Sequence, residues 1–168
     1  MKIQVGGLSE GIHLNDFQSR PSELGLGENF QKDVGVDATL EKTGTQLSLK
    51  AKIETVGMFE CDRCLTQFEA RLSSSYRMHY VPEGGSHANI IDPTEIQVIP
   101  PGLSVIDISE DVRQTILLSV PLKLLCSEEC GGLCPKCGRN LNTGPCTCTN
   151  TITDSRWEKL RSLQNKNL

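Results

Sequence analysis

The chain has 168 residues, 37% apolar and only 4% aromatic, with 17 Lys and Arg against 21 Asp and Glu for a formal net charge of −4. That length holds one domain, or one domain with a small appendage, over a lean core. No apolar run approaches the ~20 residues needed to span a bilayer, which leads us to expect a soluble, cytoplasmic protein with no membrane partner.

The charge is split along the chain. Residues 1–120 hold 10 Lys and Arg against 17 Asp and Glu, whereas 121–168 hold Lys123, Lys136, Arg139, Arg156, Lys159, Arg161 and Lys166 against Glu128, Glu129, Asp154 and Glu158. The basic end is also the cysteine-rich end. A zinc ion held by four thiolates carries a formal −2, so two such centres would more than cancel the surplus. This charge balance does not support a long electrostatic footprint on nucleic acid, while a compact contact through Lys136, Arg139 and their neighbours remains open.

In chain order, Lys2 to Val5 reads as a short strand, and Gly11 to Phe17 alternates partially through Ile12 and Leu14. Pro21, Gly25 and Gly27 mark a loop. From Val34 the period-2 pattern is clear: Val34, Val36, Ala38 and Leu40, a turn at Thr43-Gly44, then Leu47, Leu49, Ala51 and Ile53 alternating with Ser48, Lys50, Lys52 and Glu54. This is an antiparallel hairpin. A third run, through Phe68, Ala70, Leu72, Tyr76, Met78 and Tyr80, also alternates, which places Cys61-Asp62-Arg63-Cys64 in the connection before it, at a hairpin tip. The stretch VPEGGSHANIIDP after Tyr80 is a Pro/Gly/Ser loop. His79 and His87, beside or within it, share no spacing with the cysteines and read as solvated or packing residues.

Short strands are expected over Glu95–Ile99 and Leu103–Ile106, and a helix over about 107–120. Asp107 would be its N-cap and Glu110 its N3 partner, with Val112, Ile116, Leu117 and Val120 at helical spacing up to Pro121. Beyond the cysteines, Asp154 can cap a short helix carrying Trp157, Leu160 and Leu163, with Trp157 as an apolar plug. The expected fold class is α+β: an antiparallel sheet or partly open barrel with one main helix over residues 1–120, then a small zinc-binding module and short C-terminal helix over 121–168.

The stretch from Cys126 to Cys148 packs six cysteines into 23 residues, with Leu133 and Leu141 its only large aliphatic side chains. Burial cannot order it, so a metal is expected to. Cys134-Pro135-Lys136-Cys137-Gly138 has the form of a zinc knuckle: two thiolates at i and i+3, then a glycine where the backbone bends back toward sulfur. Cys146 and Cys148 would complete its four ligands. Cys126 and Cys130 form another half-site, for which Cys61 and Cys64 are the other half, although sequence alone leaves the pairing open. Eight cysteines then make two structural four-cysteine zinc sites. Disulfides are the alternative in a secreted chain, but MKIQVGGLSE lacks the apolar segment of a secretory signal. A thiol/zinc-dependent redox or metal-handling role for the Cys61/Cys64 pair is the other; it would want a helix after the pair, where the pattern reads strand. All-sulfur sites have no open position for water or substrate, and no HExxH, P-loop, dinucleotide or Ser/His/Asp signature occurs. Neither an enzyme nor a small-molecule substrate is expected.

Several of these motifs together resemble the YceD family of large-subunit ribosomal RNA accumulation proteins. They are Cys61-Asp62-Arg63-Cys64-Leu65, the helix running into Pro121-Leu122, the string from Gly132 through Cys134-Pro135-Lys136-Cys137-Gly138-Arg139-Asn140-Leu141-Asn142, then Cys146-Thr147-Cys148 and Asp154-Ser155-Arg156-Trp157. The resemblance runs from about Val34 onward; Ser155 stands where the family usually has proline. It implies a non-catalytic role in ribosome biogenesis, supporting processing, stability or accumulation of the large-subunit RNA. The resemblance also implies that some members keep the first cysteine pair and a Cys/His element after the helix without the knuckle, which fits the pairing of Cys61/Cys64 with Cys126/Cys130. The partner implied is ribosomal RNA or a ribosomal protein of the large subunit, with Lys136, Arg139, Asn140, Asn142 and Arg156 as candidate contacts. The alternative for Asn140 and Asn142 is hydrogen bonding to their own loop.

Overall fold

A computed structural model describes residues 1–84 and 92–148. His87, the helix expected after Asp154, Ser155, Arg156 and Trp157 lie outside the described residues.

The alternating runs form strands β2 (Gly11–Ser19), β3 (Val34–Thr43), β4 (Gln46–Glu60), β5 (Gln67–Pro82) and β6 (Ile96–Ile99), ordered β2-β3-β4-β5-β6 in one sheet. β3 and β4 meet through the two-residue turn Gly44-Thr45, in which Gly44 takes a φ of 58°, the left-handed geometry that matches strand twist. β4 and β5 form a hairpin paired from Leu47↔Tyr80 to Glu60↔Gln67, with the first cysteine pair at its far end. The first three strand pairs are antiparallel, as expected, but β6 runs parallel to β5. Residues 83–95 supply the dozen or so residues that a parallel crossover needs.

The sheet is open, with β2 and β6 at its edges, so the barrel alternative is not realised. Strand β1 (Lys2–Gln4) pairs antiparallel with β7 (Val105–Asp107) in a separate ribbon that joins Ile3 to Ile106. Helix α1 (Ser109–Ser119) packs on β5 and buries Val112 and Ile116. The core lies on that side, among Val34, Val36, Ala38 and Leu40 of β3, Leu47, Leu49, Ala51 and Ile53 of β4, and Leu72 and Tyr80 of β5. The opposite face, carrying residues such as Lys50, Lys52 and Arg77, is solvated.

Two details depart from the sequence reading. The helix starts after Ile108, which makes no side-chain cap; Asp107 stands one residue earlier and accepts the Ser109 N–H at 3.0 Å, while Glu110 accepts from Arg113 and Gln114. The cap thus acts from outside the helix, because Asp107 is still held in β7. In β2, the register His13↔Leu40, Asn15↔Ala38 and Phe17↔Val36 turns His13, Asn15 and Phe17 to the core side and leaves Ile12 and Leu14 67% and 77% exposed. Pairing to β3 decides which side each β2 residue faces.

Toward the far end of the long hairpin, Gly57 makes room for the Phe59 ring, which a Cβ there would approach to 2.4 Å. Phe59 meets Phe30 edge-on at 6.0 Å, and Met58 N–H donates to Asn29 at 2.7 Å. The loop before β3 therefore braces the hairpin just short of its cysteines. No helix among the described residues is long and apolar enough to cross a membrane.

Candidate metal centres

The hairpin tip folds as a knuckle. Cys61 N–H donates to the Thr66 carbonyl at 3.0 Å and Leu65 N–H returns to the Cys61 carbonyl at 2.9 Å. The second knuckle repeats this wiring: Cys134 N–H to the Arg139 carbonyl at 2.8 Å, and Gly138 N–H to the Cys134 carbonyl at 2.9 Å. In each, the residue after the second cysteine has a left-handed φ, 71° at Gly138 and 56° at Leu65. Leu65 is the only non-glycine with positive φ among the described residues. The first knuckle thus adopts, under strain, the turn that glycine permits in the second.

All eight cysteines are free thiols, gathered in two groups: Cys61, Cys64, Cys126 and Cys130, and Cys134, Cys137, Cys146 and Cys148. Within each, the four sulfurs lie within 4.8 Å of one another. Individual separations are 3.7 Å for Cys61–Cys130, 3.6 Å for Cys64–Cys126 and 3.4 Å for Cys134–Cys146. A tetrahedral ion with metal–sulfur bonds of about 2.3 Å sets its sulfurs about 3.8 Å apart, so both groups have the dimensions of a closed four-thiolate site. Among the described residues no histidine joins either group; His79 instead faces Ser48 Oγ at 2.8 Å.

The thiols do not titrate alike. Burial pushes Cys61 up, but N–H groups of Cys126, Arg63 and Cys64 outweigh it and bring the thiol down to about 6. Cys64 is lowered chiefly by Thr66. Cys126 is pushed up to about 12 by the neighbouring thiols Cys130 and Cys64 and by burial. In the second group the N–H groups of Cys137 and Lys136 bring Cys134 down to about 6, while Cys137 pushes Cys148 up to about 12. In each group at least one thiol ionises readily while another resists. A divalent cation at the centre removes that resistance by neutralising the accumulating charge.

The segment after α1 is fastened to the hairpin tip by more than sulfur. Asp62 N–H donates to the Leu124 carbonyl at 2.8 Å, and Leu124 N–H to Asp62 Oδ2 at 2.7 Å. Arg63 donates to the Cys130 carbonyl at 2.9 Å, and its own carbonyl accepts the Leu133 N–H at 3.1 Å. Gly132, at φ 72°, lets the chains approach this closely: a Cβ would lie 3.2 Å from the Arg63 carbonyl oxygen. The cysteine spacing did not single out Asp62, Arg63 or Thr66; the charged pair inside the first knuckle was the available sign.

Of the candidate contact residues, Lys136 and Arg139 are exposed on the second knuckle. Asn140 and Asn142 are occupied within the protein. Asn140 Oδ1 accepts the Asn142 N–H at 2.9 Å and its Nδ2 donates to Thr66 Oγ1 at 3.2 Å, itself 3.4 Å from Cys64 Sγ. Asn142 Oδ1 accepts the Gly131 N–H at 2.8 Å, and its Nδ2 donates to Cys130 Sγ at 3.3 Å. The loop after the second knuckle therefore supplies the outer shell of the first sulfur cluster. Both Cys61/Cys64 and Cys126/Cys130 are brought together, and the pair is followed by β5 rather than a helix, without the helix N-terminus that activates a redox thiolate.

Comparison with known proteins gives a consistent result. The family model described as large ribosomal RNA subunit accumulation protein YceD matches residues 49–164. A chloroplastic protein of Arabidopsis thaliana named as a large ribosomal RNA subunit accumulation protein YCED homolog is 35% identical over 65 residues, 39% of this chain and 20% of that protein. Its Zea mays counterpart is 50% identical over 44 residues, 26% of this chain and 15% of that protein. The match thus spans a fifth or less of these plant relatives. An uncharacterized protein of Mycobacterium tuberculosis is 26% identical over 157 residues, 89% of this chain and 72% of its own length. No solved structure matches.

Proposed function

The chain belongs to the YceD family, and on that premise we propose that it is a non-enzymatic ribosome-biogenesis factor supporting accumulation or processing of large-subunit ribosomal RNA by binding that RNA or a large-subunit ribosomal protein. The observation that carries this reading is the pair of sulfur clusters: the first ties the segment after α1 to the hairpin tip, and the second gathers the knuckle on which Lys136 and Arg139 are exposed. Zinc suits both: four thiolates, tetrahedral spacing and no position left for water or substrate make a site that supplies folding energy rather than chemistry. Cys61, Cys64, Cys126 and Cys130 would hold one ion, Cys134, Cys137, Cys146 and Cys148 the other. The cytoplasm, where thiols stay reduced, suits such a protein.

The test is the ratio of large- to small-subunit ribosomal RNA in cells lacking the chain, complemented with wild type, Cys64→Ser or the Lys136→Glu/Arg139→Glu double variant. Loss of large-subunit RNA restored by wild type alone is expected. A normal ratio in the deleted cells contradicts the role, and full rescue by the double variant removes the knuckle surface from it.

A further inference from the structure

The first cysteine site sits at the far end of the β4–β5 hairpin; a lateral edge of the main sheet carries a second surface. Strand β2 is an edge strand nine residues long, paired with β3 on one side, and no described segment pairs with its other side. Exposed edges of this length invite further strands, and proteins usually blunt them with charged side chains, lysine above all, or with proline, a bulge or brevity. β2 carries one exposed charge, Asp16, and none of the other devices. Its register with β3 runs unbroken from Gly11↔Lys42 to Ser19↔Val34, and GIHLNDFQS contains neither proline nor lysine. By contrast, the other edge, β6, is only four residues long.

The outward face of β2 has a definite chemistry. Ile12 and Leu14 stand 67% and 77% exposed, two residues apart on one face. The next residue on that face, Asp16, sits directly across from Asp37 of β3, a like-charge pairing that opposes the sheet. Lys52, across from Asp37 on β4, makes its ion pair with Glu54 at 2.6 Å. Residues 1–120 carry 10 cations against 17 anions, and the chain's net charge is −4 before any metal is bound. Two tetrathiolate zinc centres would lower it further, since each carries −2.

We propose that the β2 edge is a docking site for an extended segment of a basic protein, which adds antiparallel to β2, lays apolar side chains over Ile12 and Leu14, and sets a Lys or Arg against Asp16 and Asp37. Backbone hydrogen bonds hold the added strand, and alternate side chains select it. A second copy of this chain is the wrong occupant. Pairing β2 with itself brings two Asp16/Asp37 pairs to one seam between two acidic bodies, which electrostatics opposes. The site goes beyond the role proposed for the cysteine end and does not depend on it.

The test uses the metal-loaded full-length chain and two labelled dodecapeptides, one alternating Lys with Val and one alternating Glu with Val, followed by fluorescence anisotropy and by backbone amide NMR. The Lys peptide should bind at least about tenfold tighter than the Glu peptide, with amide shifts centred on Gly11–Ser19. Asp16→Lys and Leu14→Ser should each weaken it, the first about tenfold. Equal binding of both peptides, or shifts centred away from β2, overturns the proposal. So does sedimentation showing a dimer that Leu14→Ser dissociates, or displacement of the peptide from β2 by polyuridylate. If Asp16→Lys fails to fold, the wild-type amide shifts decide alone.

Discussion

Removing the Asn142 side chain should weaken the metal site to which that residue is not a ligand. Asn142 follows the second knuckle, yet it donates to Cys130 Sγ at 3.3 Å in the first cluster and accepts the Gly131 N–H at 2.8 Å. The neutral hydrogen bond is worth about 1 kcal/mol, and the bond to sulfur about 1.5 kcal/mol when that sulfur is a thiolate. Asn142 is exposed, which argues for the lower end, about 2 kcal/mol in all or roughly 30-fold in affinity, within the usual reach of outer-shell residues. Asn142→Ala should therefore speed zinc loss from the first site about 30-fold in transfer to a chromophoric chelator, the first-site phase being the one missing in Cys64→Ser. Asn142→Asp keeps the acceptor for Gly131 but faces the thiolate with a negative charge, and should be worse than alanine. If Asn142→Ala leaves both phases unchanged, or Asn142→Asp is no worse, the clusters are independent and the outer-shell reasoning fails.

Other outcomes follow from the same geometry. Cys134→Ser should open the second knuckle to limited proteolysis while sparing the sheet, whereas Cys64→Ser should release the whole segment after α1; identical fragments from both would defeat the assignment of two separate sites. Leu65→Gly should stabilise the tip by about 0.5–1 kcal/mol, the relief of left-handed strain less the entropy of glycine; a loss of stability in urea denaturation would mean that the Leu65 side chain makes contacts that matter more than the strain. Gly57→Ala should destabilise the hairpin, since a Cβ would lie 2.4 Å from the Phe59 ring, and an unchanged melting temperature would show that the ring moves freely. Cys61 and Cys134 are held at about 6 against an ordinary thiol value of 9.0. A lowered pKa favours the folded state above the unfolded value and loses that preference as pH falls through the folded one. Metal follows the same sign because it takes only thiolates, so the thiolate-to-cobalt absorbance of the cobalt-loaded protein should fade as pH falls through the acid range, and a band unchanged by acidification would speak against thiolate ligation.

The sequence revealed most of the fold where one period dominated. Val34 to Ile53 alternates without interruption around a glycine turn, so the hairpin could be read directly, and Val112 and Ile116 announced the face of α1. It failed where tertiary context chose between faces. The partial alternation through Ile12 and Leu14 did not say which face of β2 turns inward; pairing with β3 turns His13, Asn15 and Phe17 to the core side. The parallel sense of β6 depends on where the chain returns after β5, which no local pattern encodes. At the candidate metal centres the eight cysteines and their close pairs were legible because sulfur spacing is a covalent regularity, while which pairs meet was left open until the fold gathered them in two groups of four. The clamp of Asp62 on Leu124, the reach of Asn142 to Cys130 and the strain at Leu65 are contacts across 62 residues, 12 residues and one backbone angle, and none leaves a periodic trace.

The most direct test of the two-centre account is elemental analysis of protein purified without added metal, combined with a free-thiol count under denaturing conditions before and after chelation. Two zinc ions per chain, with every cysteine recovered as thiol once metal is removed, is the predicted result. One ion with four freely reactive thiols in the folded protein, or cysteines recovered as disulfides, would contradict it and return Cys61 and Cys64 to redox chemistry.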